Sequence, residues 1–241
     1  MRPLYIAAEG PGGGGKSTHR WLRSEILQDI TGRKVFLTRE PGGPPKAEKL
    51  RAKIFSAKKE GRPGIEIVEM FYAARQISLR QHVKPNLARG NNVDGDRYAA
   101  SIFAYEGGGE KVPLDRILDI HLRTVGNFGP DLTVYFRVAN AETVLERTRY
   151  QTNQDSFDSE GLDYQRRVIA VYDKLFEQNS NSSSLNPIFG LWILIDTDVS
   201  MNLVESQIKS KMPEAIKTVA RLPGRRLTLF HKAFWLAQSA Y

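Results

Sequence analysis

Residues 3–18 read PLYIAAEGPGGGGKST. The apolar run 4–8 predicts a buried strand. The chain then breaks at Glu9-Gly10 and passes through Gly12, Gly13, Gly14 and Gly15. Lys16-Ser17-Thr18 opens a stretch with helical spacing at Trp21, Leu22, Ile26, Leu27 and Ile30. Gly10-x4-Gly15-Lys16-Ser17 is the phosphate-loop pattern in the setting it requires, a strand before and a helix after. Glycines let backbone N–H groups converge on phosphate oxygens, and the helix N-terminus adds positive potential. A lysine here bridges phosphates, and a serine can ligate Mg²⁺. The stretch predicts a nucleotide phosphate site.

Working outward, residues 34–38 read as a second strand that runs into Arg39-Glu40-Pro41-Gly42-Gly43. A cation at the C-terminal end of a strand lies where open α/β sheets bind ligands, although a solvated loop charge before a turn has the same appearance. Helices are predicted over 46–58 and 65–88. On the second, Phe71 and Arg75 share a face four residues apart. An aromatic beside an arginine suits a base and its edge, or equally a core aromatic under a surface arginine. A third strand ends near Asp96-Arg97, a carboxylate that can organise Mg²⁺ next to a cation that can hold phosphate. As a strand this segment is poor. Asn92, Asp94 and Gly95 all disfavour it, and a buried Asp94 needs a partner.

Ser101, Tyr105 and Glu106 follow on a short helix or turn. Beyond them the pattern gives a helix over 114–125, a strand over 131–136, a helix over 141–150, a helix over 164–178, a strand over 191–195 and a last core helix over 202–211. The polar loop at about 150–161, flanked by Arg147 and Arg149, suits a lid over phosphates or an ordinary surface connection. Strands alternating with helices imply a three-layer α/β/α fold around a five-stranded parallel sheet.

Composition bounds the chemistry. The 241 residues suffice for one well-buried α/β domain. There is no cysteine, hence no disulfide and no thiolate chemistry, which fits a reducing cytoplasm. No apolar run is long enough to span a bilayer. Half of the net charge of +8 sits in residues 213–241, a stretch read as a basic, aromatic C-terminal extension to a domain covering 1–212. Leu227, Phe230 and Phe234 are spaced there to share a helical face. The rest of the chain is mildly basic, which suits an anionic small substrate and does not call for nucleic acid.

Five signatures stand in order: EGPGGGGKST at 9–18, TREPGG at 38–43, FYAAR at 71–75, GDRYAASIFAYEGG at 95–108 and PDLTVYF at 130–136. Together they resemble the thymidylate kinase family over about residues 3–210. The resemblance implies a P-loop fold of the nucleoside-monophosphate-kinase type, and a homodimer that phosphorylates dTMP to dTDP with ATP and Mg²⁺. Gly10, Gly12, Gly13, Gly14, Gly15, Lys16, Ser17 and Thr18 would serve ATP, and Ser17 and Asp96 the metal. Arg39 and Arg97 would hold the dTMP phosphate, and Phe71, Arg75, Ser101 and Glu106 would meet the base. Tyr105 would pack beneath the sugar, with Glu9 on the substrate side. Lys16, Arg39, Asp96, Arg97 and Arg149 form the expected catalytic set, and residues near Asp196–Asp198 would lie by the adenine. No membrane or nucleic-acid partner is implied, and the partner of the extension stays open.

Departures set this chain apart. Relatives usually carry an acid where Gly12 stands and, in bacteria, glutamine where Glu106 stands. The lid segment Asp155-Ser156-Phe157-Asp158 lacks an arginine at Ser156. Asp94 and Arg137 stand where relatives have an apolar and an acidic residue. A kinase with shifted base or sugar preference and a non-catalytic nucleotide-binding homologue are the alternatives these positions raise.

Overall fold

The computed structural model describes residues 1–149, 160–181 and 185–222. Five strands, β1 (Tyr5–Glu9), β2 (Val35–Arg39), β3 (Asn92–Asp96), β4 (Leu132–Arg137) and β5 (Leu191–Asp196), form a parallel sheet in the order β2-β3-β1-β4-β5. The helices are α1 (Arg20–Thr31), α2 (Pro45–Lys59), α3 (Gly64–Ser78), α4 (Lys84–Ala88), α5 (Ala99–Ile102), α6 (Leu114–Val125), α7 (Ala141–Thr148), α8 (Leu162–Asn179) and α9 (Met201–Arg221). Side chains alternate across each strand, so β1 sends Tyr5 and Ala7 to one face and Leu4, Ile6 and Ala8 to the other. The first face packs against α2, α3, α6 and α8, and the second against α1 and α9. Parallel strands buried on both faces need near-continuous apolar sequence, as β1 and β4 have.

β3 lacks that sequence, and its polar residues are each satisfied. Asn92 accepts from the Leu4 N–H at 2.9 Å and donates to Thr31 at 2.7 Å. Asp94, fully buried and in register with Ile6, turns toward α1. There its carboxylate takes Arg23 Nη2 at 3.1 Å and the Ser24 hydroxyl at 3.2 Å. Burial pushes the Asp94 carboxyl up, and Arg23 and Ser24 pull it back. Arg23 is itself fully buried, and its other terminal nitrogen donates to the Lys16 carbonyl at 2.6 Å. The partner that Asp94 requires is therefore an arginine that also props the phosphate loop.

Four expectations shift. The loop runs on through His19, so α1 begins at Arg20 rather than at Lys16. Trp21 points to solvent, 73% exposed, because Arg23, Ser24 and Leu27 take the inward stripe of α1. The helix expected over 65–88 changes to a π-helical turn at Leu79–Val83. The last helix does not end near residue 211 but continues to Arg221 with Pro213 inside it. An internal proline costs a helix about 3 kcal/mol. Against that, Met212, Ala215, Ile216 and Val219 are all buried against the sheet, and Arg2 donates to the Val219 carbonyl at 3.1 Å. A boundary after residue 212 therefore cuts a packed helix. The lid at 150–159, with Ser156, and the extension from residue 223, with Leu227, Phe230 and Phe234, lie outside the described residues.

Full burial of an Ile or Val side chain contributes about 1.5–3 kcal/mol. A chain ending at Met212 should therefore lose much of its stability, whereas one ending at Leu222 should melt close to the full chain. Thermal unfolding followed by circular dichroism checks this, and equal melting of the two truncations would remove the end of α9 from the core.

Candidate active site

A cavity of about 360 Å³ opens at the C-terminal ends of β1, β2 and β3, the edge at which α/β sheets place ligands. Residues Gly12–Thr18 line one end. Asp96, Arg97, Ser101 and Tyr105 line the middle, and Arg39, Glu40, Arg51, Phe55, Phe71, Arg75 and Glu106 complete it. One strand end thus gives the phosphate loop, a second gives Arg39 and Glu40, and a third gives Asp96 and Arg97.

The loop's glycines are required by shape. Gly10 has φ +136°, and a Cβ there would sit 2.2 Å from the Phe136 carbonyl oxygen. At Gly13, φ +68°, a Cβ would sit 2.6 Å from Arg147 Cβ. Lys16 Nζ donates to the Gly10 and Pro11 carbonyls at 2.9 and 2.6 Å. Arg97 is in the left-handed region, φ +72°, and this turns its Nη1 onto the Gly10 carbonyl at 3.0 Å. Gly10 therefore lies below the cavity, with its carbonyl facing both cations. Glu9 also lies beneath the lining. It accepts from the Tyr98 N–H at 2.7 Å, the Ser101 hydroxyl at 2.6 Å and Tyr172 at 3.2 Å. Ser101 reaches the cavity, but its hydroxyl is engaged by Glu9 and by Arg97 at 3.0 Å. Tyr105 lies under the Arg97 guanidinium, 5.0 Å from it, and accepts from the Gly12 N–H at 3.0 Å.

Asp96 Oδ2 accepts from the Ser17 hydroxyl at 3.0 Å. Burial would raise this carboxyl, but Lys16, Arg97, Arg23 and Ser17 together hold it below its usual range, so it is ionised. A hydroxyl and a carboxylate beside a phosphate loop suit Mg²⁺, which keeps several waters and takes its other oxygens from phosphates. Among the described residues no group of three His, Cys, Asp or Glu forms a self-sufficient metal cage.

At the other end the arginine of the Phe71–Arg75 pair is the buried partner. Arg75 is 2% exposed and lies 4.8 and 4.4 Å from the Tyr72 and Tyr98 rings. Its Nε donates to Glu40 Oε2 at 2.6 Å, while its Nη1 has no partner. Burial disfavours this charge, but Glu40 together with the Tyr72 and Tyr98 hydroxyls outweighs that effect and keeps the guanidinium firmly cationic. Arg39, half-exposed, makes a two-pronged bond to Glu48 at 3.1 and 2.9 Å.

Sequence reasoning missed several members. Glu40, Arg51 and Phe55 were legible in type: Arg51 and Phe55 are four apart on α2, the spacing noticed for Phe71 and Arg75, and they lie 4.7 Å apart. Arg23 and Tyr172 carried no local signal. Arg149 does not reach the cavity and stands exposed just past the end of α7. Two residues apart on a helix is about 200°, so Arg147 faces the other way. Arg147 packs on Gly13 and donates to the Thr197 carbonyl at 2.9 Å, with Asp198 3.4 Å away.

A family model described as thymidylate kinase matches residues 8–188. Among solved structures, a thymidylate kinase from Ehrlichia chaffeensis superposes with a TM-score of 0.65 at 24% identity, covering 87% of this chain and 97% of that one. At that identity the superposition speaks for the fold, and the family match speaks for the chain.

Removing one member of a buried ion pair costs about 3–5 kcal/mol because it strands the other charge. Asp94→Ala should lose stability on that scale in urea unfolding, and Arg23→Leu combined with Asp94→Leu should recover part of it. A double variant as unstable as the sum of the two single ones would show that Arg23 and Asp94 are not coupled.

Proposed function

The chain belongs to the thymidylate kinase family and is a dTMP kinase. We propose that it transfers the γ-phosphoryl group of ATP within the cavity lined by the phosphate loop at one end and by Arg75 at the other. The observation that carries this reading is that pairing. Asp96 and Arg97 stand between a loop shaped for phosphates and a pocket with an aromatic wall and an unpartnered guanidinium nitrogen.

The transfer needs no general base. The acceptor oxygen belongs to an already anionic phosphate, so the protein must supply alignment and charge. In this reading Lys16 exchanges its two loop carbonyls for phosphate oxygens. Arg97 faces the acceptor phosphate from beside Gly10, and Arg39 leaves or shares Glu48 to hold the same group. Asp96 and Ser17 would hold Mg²⁺, which when bound neutralises charge on the β- and γ-phosphates. Arg147, tied to Thr197 and Asp198, takes the place beside the loop that was expected for Arg149. Phe71 and Arg75 take the base.

The family generally uses ATP and Mg²⁺, which supports the cofactors. We extend the reading to a homodimer in the cytoplasm. Family membership supports the first and the absence of cysteine suits the second. Among the described residues no helix is long and apolar enough to cross a membrane. The kinase unit in this reading runs through α9 to Arg221, with the lid over about 150–161 and the basic extension beyond α9.

ADP release from ATP·Mg²⁺ against dTMP, dUMP, UMP, dCMP, dGMP and AMP should be fastest with dTMP. A better acceptor would assign the shifted preference to Gly12 and Glu106, and binding without turnover would leave a non-catalytic homologue. Lys16→Ala should lower kcat by about 10²–10³ or more, the scale of one lost transition-state contact, while the fold survives. Arg75→Ala should raise KM for dTMP far more than KM for ATP. Equal effects would take Arg75 out of the base pocket.

A further inference from the structure

Among the described residues, Glu106 is the one buried carboxyl whose two oxygens both lack a hydrogen-bond partner. It sits on the π-helical segment Phe103–Gly109, is 1% exposed and lines the cavity. The other buried acids are engaged: Glu9 by Ser101 and Tyr172, Glu40 by Arg75, Asp94 by Arg23. Native proteins rarely leave such atoms unpaired unless a ligand completes them. Among the described residues, the other buried polar atoms without a partner on the cavity wall are Arg75 Nη1 and Glu40 Oε1, the Glu40 oxygen that Arg75 does not hold.

We propose that Glu106 reads the hydrogen-bonding edge of the acceptor's base as a neutral carboxylic acid, one oxygen donating and the other accepting. The proposal rests on the reading of this cavity as the dTMP site. An ionised carboxylate without water or hydrogen bonds is far costlier to bury than the protonated acid. The charged groups around Glu106 do not reverse this. Lys58 on α2 favours ionisation, but it is drawn off by Glu110 and by Glu160 at 3.7 Å, and it lies 5.3 Å from the Tyr164 ring. Glu110, on the loop after Glu106's own segment, opposes ionisation. From α8, Tyr164 is held neutral by burial and Arg167 is turned onto the Gly108 and Gly109 carbonyls. Burial carries the balance, and the Glu106 carboxyl is pushed up to about 8.

A carboxylic acid presents a donor and an acceptor side by side, as an amide does, whereas a carboxylate only accepts. The acid's C=O can take a ring N–H while its O–H meets the adjacent carbonyl, which Arg75 also faces with a donor. That set selects a 4-oxopyrimidine. A 4-aminopyrimidine would bring its amino group against the Arg75 donor, and an unpaired buried donor is a strong basis for rejection. Glu106 thus does at neutral pH what a glutamine would do, and loses that ability as the pH rises through about 8.

The test has two readings on the full-length protein. With saturating ATP·Mg²⁺ between pH 6.5 and 9.5, KM for dTMP of the wild type should rise about tenfold from pH 7 to pH 9, following the neutral fraction, with kcat much less affected. The KM of Glu106→Gln should stay flat over that range, because its amide does not titrate. In the protein without nucleotide, the ¹³C carboxyl resonance that disappears in Glu106→Gln should titrate near pH 8. A midpoint near 4–5 overturns the proposal whether or not dTMP is turned over. A midpoint near 8 with a flat wild-type KM, or with the same alkaline rise in Glu106→Gln, overturns the base-reading role. If dTMP is not turned over at any pH, the proposed function fails and the base-reading role with it, while the carboxyl titration still reads the protonation of Glu106 by itself.

Discussion

The buried arginine Arg23 joins three things that would otherwise be independent. Its guanidinium bonds the Lys16 carbonyl, the Asp94 carboxylate and, by position, the face of Phe136, 5.5 Å from the ring centroid. The phosphate loop and strands β3 and β4, which flank β1, are thereby tied together, with the loop's glycines packed against Phe136 and Arg147. A loop of consecutive glycines has high conformational freedom, and ordering it is entropically costly. The buried ion pair beneath it offsets that cost by fixing the loop from the core side and leaving its other side free for phosphate.

The same arrangement recurs around the cavity. Arg75 is held by Glu40, Arg39 by Glu48, and Arg97 by the Gly10 carbonyl and Ser101. Each cation is oriented before substrate arrives, so less side-chain freedom is lost on binding. The three differ in how firmly they are held. The Arg75–Glu40 pair is buried and fixed, as suits recognition of a flat base, while Arg39–Glu48 is exposed and exchangeable, as suits a cation that must take up and release an anion.

How far the sequence discloses this depends on whether a signal is local. The phosphate loop, the five strands and the 71/75 pair are short-range patterns, and each appears where the spacing puts it. The end of α9 was hidden because Pro213 is a stop signal that only tertiary burial of Ile216 and Val219 overrides. β3 looked unfit as a strand because its support comes from Arg23, Ser24 and Thr31, about sixty to seventy residues earlier in the chain. The choice between Arg147 and Arg149 depended on which face of α7 meets Gly13, and one element's periodicity does not fix that.

The departures from the family pattern are best understood as compensated rather than decayed. Asp94 comes with Arg23. Arg137, where relatives carry an acid, makes a two-pronged bond to Asp173 at 2.8 and 2.9 Å, and Asp173 also receives the Tyr135 hydroxyl at 2.9 Å. At Gly12, where the acid is absent, the backbone N–H is taken up by Tyr105, whose ring supports Arg97. Random loss of function strands charges, and a stranded buried charge costs several kcal/mol. Here Asp94 and Arg137 each have a counterpart within hydrogen-bond distance, and the missing loop acid is matched by a tyrosine that links loop and arginine. That pattern fits a site still under the demand of holding two anions in line, with its charges redistributed rather than abandoned.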